Sequence, residues 1–291
     1  MDDPLLSAVI DYDHLKVKHN DIIKQVEEKD WNNFTKYELE FENKALPINS
    51  DTLIEWINQC QEDSSDFQFK HFIYDLHLIR NNYAYQIRSP ALVNESTFTH
   101  DFLASFIKFI APKYIKGWDT EQSVSAKDER GVDKRPDVIG KLFYNNIFNE
   151  VFFIEVSYSP FHYNPMDHAI GDHTKLRKLG KNALDRNYRK NRKHPVFLIH
   201  LYSEYLYVYF MDLKYYPIVR KVLLYTIHIP LYKNTPTDEI QKFLDIMWKM
   251  KLMLDGIIQI YEQSEKDVDL EAIFRNFNIF ETFSTPRNPK K

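Results

Sequence analysis

Between residues 115 and 230 the chain breaks into short runs rich in β-branched and aromatic residues, RPDVIGKLFY, VFFIEVSY, PVFLIHLY, YLYVYFMDL and VRKVLLYTIHI, with one insert of different character, DHTKLRKLGKNALD, after the second. Runs of this length and composition predict strands, and the apolar spacing of the insert predicts a helix. Helices are expected on either side. SDTLIEWINQCQ opens on a Ser-Asp start signal, FKHFIYDLHLIRNNYAYQI continues the helical spacing, NESTFTHDFLASFIKFIAP is stopped by Pro112, and a long amphipathic stretch follows Pro236. The order helices, strands, helix, strands, helix predicts an α/β (α+β) fold with a mixed central sheet flanked by helices. We read one composite domain in three parts: an N-terminal helical region over 1–88, an α/β core over 89–232, and a C-terminal helix with the frayed tail STPRNPKK over 233–291.

Composition narrows the function classes. At 44% apolar residues, a 291-residue chain has the material for a packed core, and only 6 glycines argue against glycine-loop architectures. Neither a Walker nor a dinucleotide fingerprint is present. Cys60 is the sole cysteine, which excludes an intramolecular disulfide and predicts a reducing compartment, nucleus or cytoplasm. The opening MDDPLLSAVIDYDHL is too acidic, and its apolar run too short, for a signal peptide; no window reaches the length of a membrane span, so no membrane partner is expected. With a net charge of −4, a nucleic-acid partner would have to be met by a local basic surface.

Glu155 sits inside the apolar run VFFIEVSY, and its spacing from Asp137 offers a reason. Pairing DVIGKLFY with NEVFFIEV through a three-residue loop, Asn145-Asn146-Ile147, sets Tyr144 against Phe148 and, further out, Asp137 against Glu155. A loop one residue shorter would set Asp137 against Ile154 instead. In the chosen register Val138, Gly140, Leu142, Phe152, Ile154 and Val156 share one apolar face, and Asp137, Glu155 and Ser157 share the other. Two close carboxylates repel each other, and a hard divalent cation relieves the repulsion. Asp137 and Glu155, with a backbone carbonyl such as that of Val156, are therefore expected to hold Mg²⁺ or Mn²⁺, an ion able to polarise a phosphodiester and acidify a bound water.

RPD at 135–137 and EVS at 155–157 resemble the PD-(D/E)XK nuclease superfamily, the restriction-endonuclease-like fold. Taken in order, NESTF, WDT, RPD, FIEVS and DHTKLRKLGKNALD are similar to an expanded group of fungal proteins, some of them in crinkler-type effectors, and this resemblance covers residues 94–212. It implies metal-dependent phosphodiester hydrolysis, with DNA ahead of RNA as substrate and pairing of two copies to cut both strands. It also implies a third acid from the helix before the strands, Glu95, with Glu121 in competition. The lysine of the family is Ser157 here, and a serine has no charge with which to orient water or stabilise the phosphorus transition state. Some superfamily members supply this lysine from the following helix, which points to Lys175. A helix starting at Gly171-Asp172 would carry Lys175 in its first turn, at the edge of the sheet-facing stripe of Leu176, Leu179, Gly180 and Ala183. The implied catalytic set is Asp137, Glu155, Lys175 and Glu95.

The stretch from Lys175 to Lys193 is strongly basic. Expected nucleic-acid contacts are Lys178, Lys181, Arg186, Arg189, Lys190 and Arg192, with Tyr188 for stacking, in a patch adjoining the metal site. The same run resembles a nuclear-localisation segment. His162, His168 and His173 crowd the segment before it, at spacings that match no zinc pattern, and Ser157 lacks the glycines of a nucleophile elbow. The expected function is a metal-dependent nuclease. The alternative is an inactive nuclease-like fold, with Ser157 marking lost chemistry, that serves as a nucleic-acid-binding or protein-interaction effector module.

Overall fold

The structure is a computed structural model that describes residues 9–11, 65–119, 121–131, 134–158, 160–161, 166–190, 192, 194–215 and 218–263. The helices expected between 13 and 64, the tail STPRNPKK, Cys60, His162 and Lys193 lie outside the described residues.

Among the described residues seven strands form one sheet: β1 (Val9–Asp11), β2 (Ile115–Trp118), β3 (Val138–Tyr144), β4 (Ile147–Ser157), β5 (Val196–Tyr202), β6 (Tyr205–Tyr215) and β7 (Ile218–His228). Their order is β1-β7-β6-β5-β4-β3-β2. The three-residue β1 lies parallel to β7 at one edge. The other six make an open, mostly antiparallel sheet in two meanders, β2-β3-β4 and β5-β6-β7, joined by the parallel pair β4-β5. A parallel join cannot be made by a tight turn and needs a crossover. Seven helical segments accompany the sheet among the described residues. They are α1 (Ser65–Asn81), α2 (Tyr83–Gln86), α3 (Glu95–Phe98), α4 (Ala104–Ile110), α5 (Val124–Arg130), α6 (Met166–Arg189) and α7 (Thr237–Gln263), and a π-helical turn, Thr99–Leu103, runs between α3 and α4. The crossover is α6. The five predicted strand runs and the helices ending at Pro112 and following Pro236 are present, whereas β1, β2 and α5 were not separately legible.

Helices cover both faces of the sheet. On one face Phe69 and Phe72 of α1, Phe106 and Phe109 of α4 and Phe243 and Met247 of α7 pack on Val138, Phe152, Ile154 and Phe210 of the sheet. Phenylalanine rings interlock here: Phe72 stacks on Phe109 at 5.3 Å and Phe98 on Phe102 at 5.3 Å. Each such ring contributes about 1.5–3 kcal/mol through burial. On the other face the predicted stripe Leu176, Leu179 and Ala183 of α6 covers Ile139, Phe153 and Leu198. At Gly180 an added Cβ would lie 2.7 Å from Met211 Sδ and 2.9 Å from Leu198 Cδ2, so the missing side chain lets α6 settle onto the strands.

Two local expectations are corrected. The β3–β4 turn is the two-residue Asn145–Asn146, both with left-handed φ (48° and 59°), and Tyr144 pairs with Ile147 rather than Phe148. Asparagine tolerates that conformation, and two such residues match the twist of a tight hairpin. The pairing then slips by one residue between Gly140 and Lys141, where Val151 bulges out, so that Val138 faces Ile154 and Asp137 still falls beside Glu155. Helix α6 begins at Met166 and not at Gly171, so Lys175 lies well past its first turn. Asp172 does not cap the helix; its carboxylate accepts from Ser157 of the sheet.

Candidate active site

Glu155 and Ser157 emerge from β4 on the face covered by α6, and Asp137 stands just before β3. The backbone N–H of Val156 donates to Asp137 Oδ2 at 2.6 Å, which fixes this carboxylate against β4. Lys175 reaches down from α6 and donates to Glu155 Oε2 at 2.8 Å. Its side chain is 25% exposed and that of Glu155 only 2%, so the ammonium spans from a buried acid to the solvent side. One turn earlier on α6, Asp172 meets the next same-face residue of β4: Ser157 donates to Asp172 Oδ2 at 2.6 Å. His168 Nδ1 lies 2.9 Å from the same oxygen. Thus α6 and β4 are tied by two rungs, Lys175–Glu155 and Asp172–Ser157.

Electrostatics in the cluster are those of acids in excess. Burial, and then the charge of Asp137, raise Glu155 to about 9; Lys175 draws the value back without reversing it. Burial also lifts Asp137 to about 6, against the opposing pull of the Val156 N–H and Lys175, with Glu95 and Asp119 adding to the rise. Glu95, in the first turn of α3, is raised by burial and by Asp172 and Asp119, and lowered by the Tyr158 backbone and His168. Glu155 Oε1 is buried and has no hydrogen-bond partner among the described residues. An orphaned, buried carboxylate oxygen beside a second raised carboxylate fits a hard cation, which would neutralise both acids and occupy the orphaned oxygen. Among the described residues no three His, Cys, Asp or Glu side chains converge to hold a metal alone, so an ion at Asp137 and Glu155 would keep waters in its remaining positions.

The sequence-predicted residues divide as follows. Asp137, Glu155, Lys175 and Glu95 come together. Glu121 does not: it bonds Lys141 of β3 and lies under Gly117. Asp119, two residues before it, is the acid that Asp137 and Glu95 feel, and it was passed over. His200 was missed as well. Its Nε2 is 2.7 Å from Ser157 Oγ. Because the single hydroxyl proton of Ser157 goes to Asp172, His200 is the donor in that bond. Burial, followed by His173, Lys221 and His168, lowers its pKa to about 3 and keeps the ring neutral. The signal was a lone polar residue inside PVFLIHLY, the same kind of signal that singled out Glu155.

The basic run is placed differently from expectation. Helix α6 runs away from the acids, so Arg189 lies about 21 Å from Lys175 along the axis. The run ends beside the β3–β4 turn, and its cations are partly committed. Lys181 is 2% exposed and pairs with Asp185 at 2.6 Å. Arg186 binds Asp128 of α5 at 3.0 Å and the Phe148 carbonyl at 2.9 Å. Arg192 lies over the rings of Tyr144 and Tyr261. Lys178, Tyr188 and Lys190 are half-buried and Arg189 is exposed. Among the described residues no helix is long and apolar enough to cross a membrane. Comparison with family models, with curated proteins and with solved structures gives no match.

Proposed function

We propose that this protein is a divalent-metal-dependent nuclease of PD-(D/E)XK type that hydrolyses phosphodiester bonds in DNA or RNA. The observation that carries the reading is the trio of Asp137, Glu155 and Lys175: a buried carboxylate on β4 with an orphaned oxygen, a half-buried carboxylate just before β3, and an ammonium 2.8 Å from the deeper acid. Asp137 and Glu155 would hold Mg²⁺ or Mn²⁺, which when bound supplies Lewis acidity to the phosphate and an acidified water. Lys175, partly exposed above the acids, bears the charge that faces the phosphate oxygens or orients the attacking water, in place of the missing lysine at Ser157. Glu95 and Asp119 add negative potential, which strengthens cation capture. The architecture supports a restriction-endonuclease-like core: an antiparallel meander β2-β3-β4, the crossover α6, and β5 parallel to β4.

The test is cleavage of plasmid, single-stranded DNA and RNA with Mg²⁺ or Mn²⁺. Asp137→Asn, Glu155→Gln and Lys175→Ala are each expected to slow cleavage by on the order of 10²–10³-fold while the far-UV circular dichroism stays native. Full activity in all three variants would overturn the assignment. A wild type that binds oligonucleotides with a steep salt dependence but cuts none would instead mark a non-catalytic binding module.

A further inference from the structure

The face of the sheet that carries the acids continues sideways into aromatic residues. Adjacent strands bring Glu155, His200, Tyr207 and Thr226 into one row, and Ser157, Tyr202, Tyr205 and His228 into the next. Residues in register across neighbouring strands project to the same side, and the rings do meet. Tyr205 and Tyr207 centroids are 6.3 Å apart, His200 and Tyr202 are stacked at 6.2 Å, and Tyr205 meets His228 edge-on at 5.4 Å. Deeper along the same strands, Leu198 and Tyr209 are buried in the core beneath α6. Tyr207, half-buried, packs against the edge of that core, and Tyr202 and Tyr205 lie beyond it: Tyr205 is 42% exposed and Tyr202 half-buried. Glu204, in the turn between Tyr202 and Tyr205, is engaged by His228 and Tyr232.

We propose that Tyr202, Tyr205 and Tyr207 form a stacking subsite for unpaired nucleobases, so that the substrate of the neighbouring acid–lysine centre is single-stranded or locally unpaired nucleic acid; the word substrate here rests on the nuclease reading. Strands are spaced about 4.8 Å apart, which puts Tyr202 one strand from Ser157 and Tyr207 two strands, about 10 Å, from Glu155. That is the reach of a nucleotide whose phosphate sits at the acids. Exposed rings offer π faces that every base can use, whereas the bases of an intact duplex keep their faces stacked on one another. The phenols also carry hydrogen-bond handles: burial, then the proximity of Tyr205 and Tyr202, raises Tyr207 and keeps it a neutral donor.

Fluorescence anisotropy with labelled single-stranded DNA, single-stranded RNA and duplex DNA, without divalent ion so that no turnover intervenes, tests the proposal. Single strands are expected to bind more tightly than duplex. Tyr205→Ala with Tyr207→Ala should weaken single-strand binding by about tenfold per ring, while the corresponding Phe pair stays within about twofold of wild type. The preferred strand identifies DNA or RNA as the source of the bases. Unchanged single-strand affinity in the Ala pair overturns the subsite, and so does an equal loss in the Phe pair, which keeps both rings. Parallel cleavage assays separate the two ideas. Cleavage by wild type with an unaltered KM for single strands in the Ala pair overturns the subsite alone. Absence of cleavage with ring-dependent single-strand binding overturns the nuclease reading and sustains the subsite.

Discussion

Glu155 has a side chain 2% exposed, an ammonium on one oxygen and no partner for the other among the described residues, and this imbalance has a consequence for stability. The folded protein holds the Glu155 proton to about pH 9, whereas the unfolded chain releases it near the ordinary value of 4.5. Between those limits the unfolded state binds fewer protons, so the slope of stability against pH is negative: this contribution is complete below the lower limit and is lost as pH rises to the upper one. Asp137, raised from 3.8 to about 6, adds to the acidic end of the same fall. The melting temperature of metal-free protein is therefore expected to drop between about pH 5 and pH 9, and Glu155→Gln should flatten the profile. Mg²⁺ at mildly alkaline pH should raise the wild-type melting temperature and leave that of Glu155→Gln unmoved, because an ion that binds only the folded site stabilises by mass action. At this scale Glu155 was legible because an acid in an apolar strand stands out, and Asp137 through its hairpin spacing from Glu155. Lys175 was reached through the family resemblance, with its place at the edge of a helical stripe as the physical support. His200 carries the same signal inside PVFLIHLY, but nothing local says that its strand lies beside β4, and nothing local to GWDTEQ says which acids lie beside Asp119.

Strand β4 solves a phasing problem that its own sequence poses. Glu150 and Glu155 are five residues apart, an odd spacing that regular alternation would send to opposite faces, one of them into the phenylalanine core. The bulge at Val151 shifts the phase so that both acids face the same side. Glu150 there accepts from the N–H groups of Val124 and Ser125 at 2.8 and 3.2 Å and from the Ser123 hydroxyl, closing the start of α5. The turn is one residue shorter than the spacing predicts and the bulge adds one residue back, so the two departures cancel and Asp137 falls beside Glu155. The bulge was not legible because Val151 and Phe152 are both apolar and suit either phase. Opposite it, Gly140 leaves room for Phe152: an added Cβ would fall 1.8 Å from the ring. Gly140→Ala is expected to cost about 1–3 kcal/mol in chemical denaturation, because Phe152 must leave its rotamer or β3 must shift. A change below about 0.5 kcal/mol would show that the ring has somewhere else to go.

Among the described residues, the acid–lysine cluster and the basic charge lie toward opposite ends of α6, with the acids near its start and the cations at its finish. Nucleic acid following that helix would place its backbone contacts away from the scissile phosphate. Replacing both Arg189 and Lys190 with alanine should lower the salt slope of single-strand binding by about 0.7 for each phosphate that these cations neutralise. Lys181→Ala should leave the slope unchanged and cost stability, about 1–3 kcal/mol, since its half-buried partner Asp185 is then without a cation. An altered slope with unaltered stability would contradict that division. The mixed sheet, its flanking helices and the sharing of one face by Asp137, Glu155 and Ser157 were set by the sequence, through periods of two and 3.6 that each segment carries within itself. Which segments became neighbours was decided by the tertiary structure. The parallel seating of β5 beside β4 brought His200 and the tyrosines to the acids, and the packing of α3 brought Glu95. Local periodicity gives every strand two edges and every helix a face, but only long-range closure and packing choose the partner.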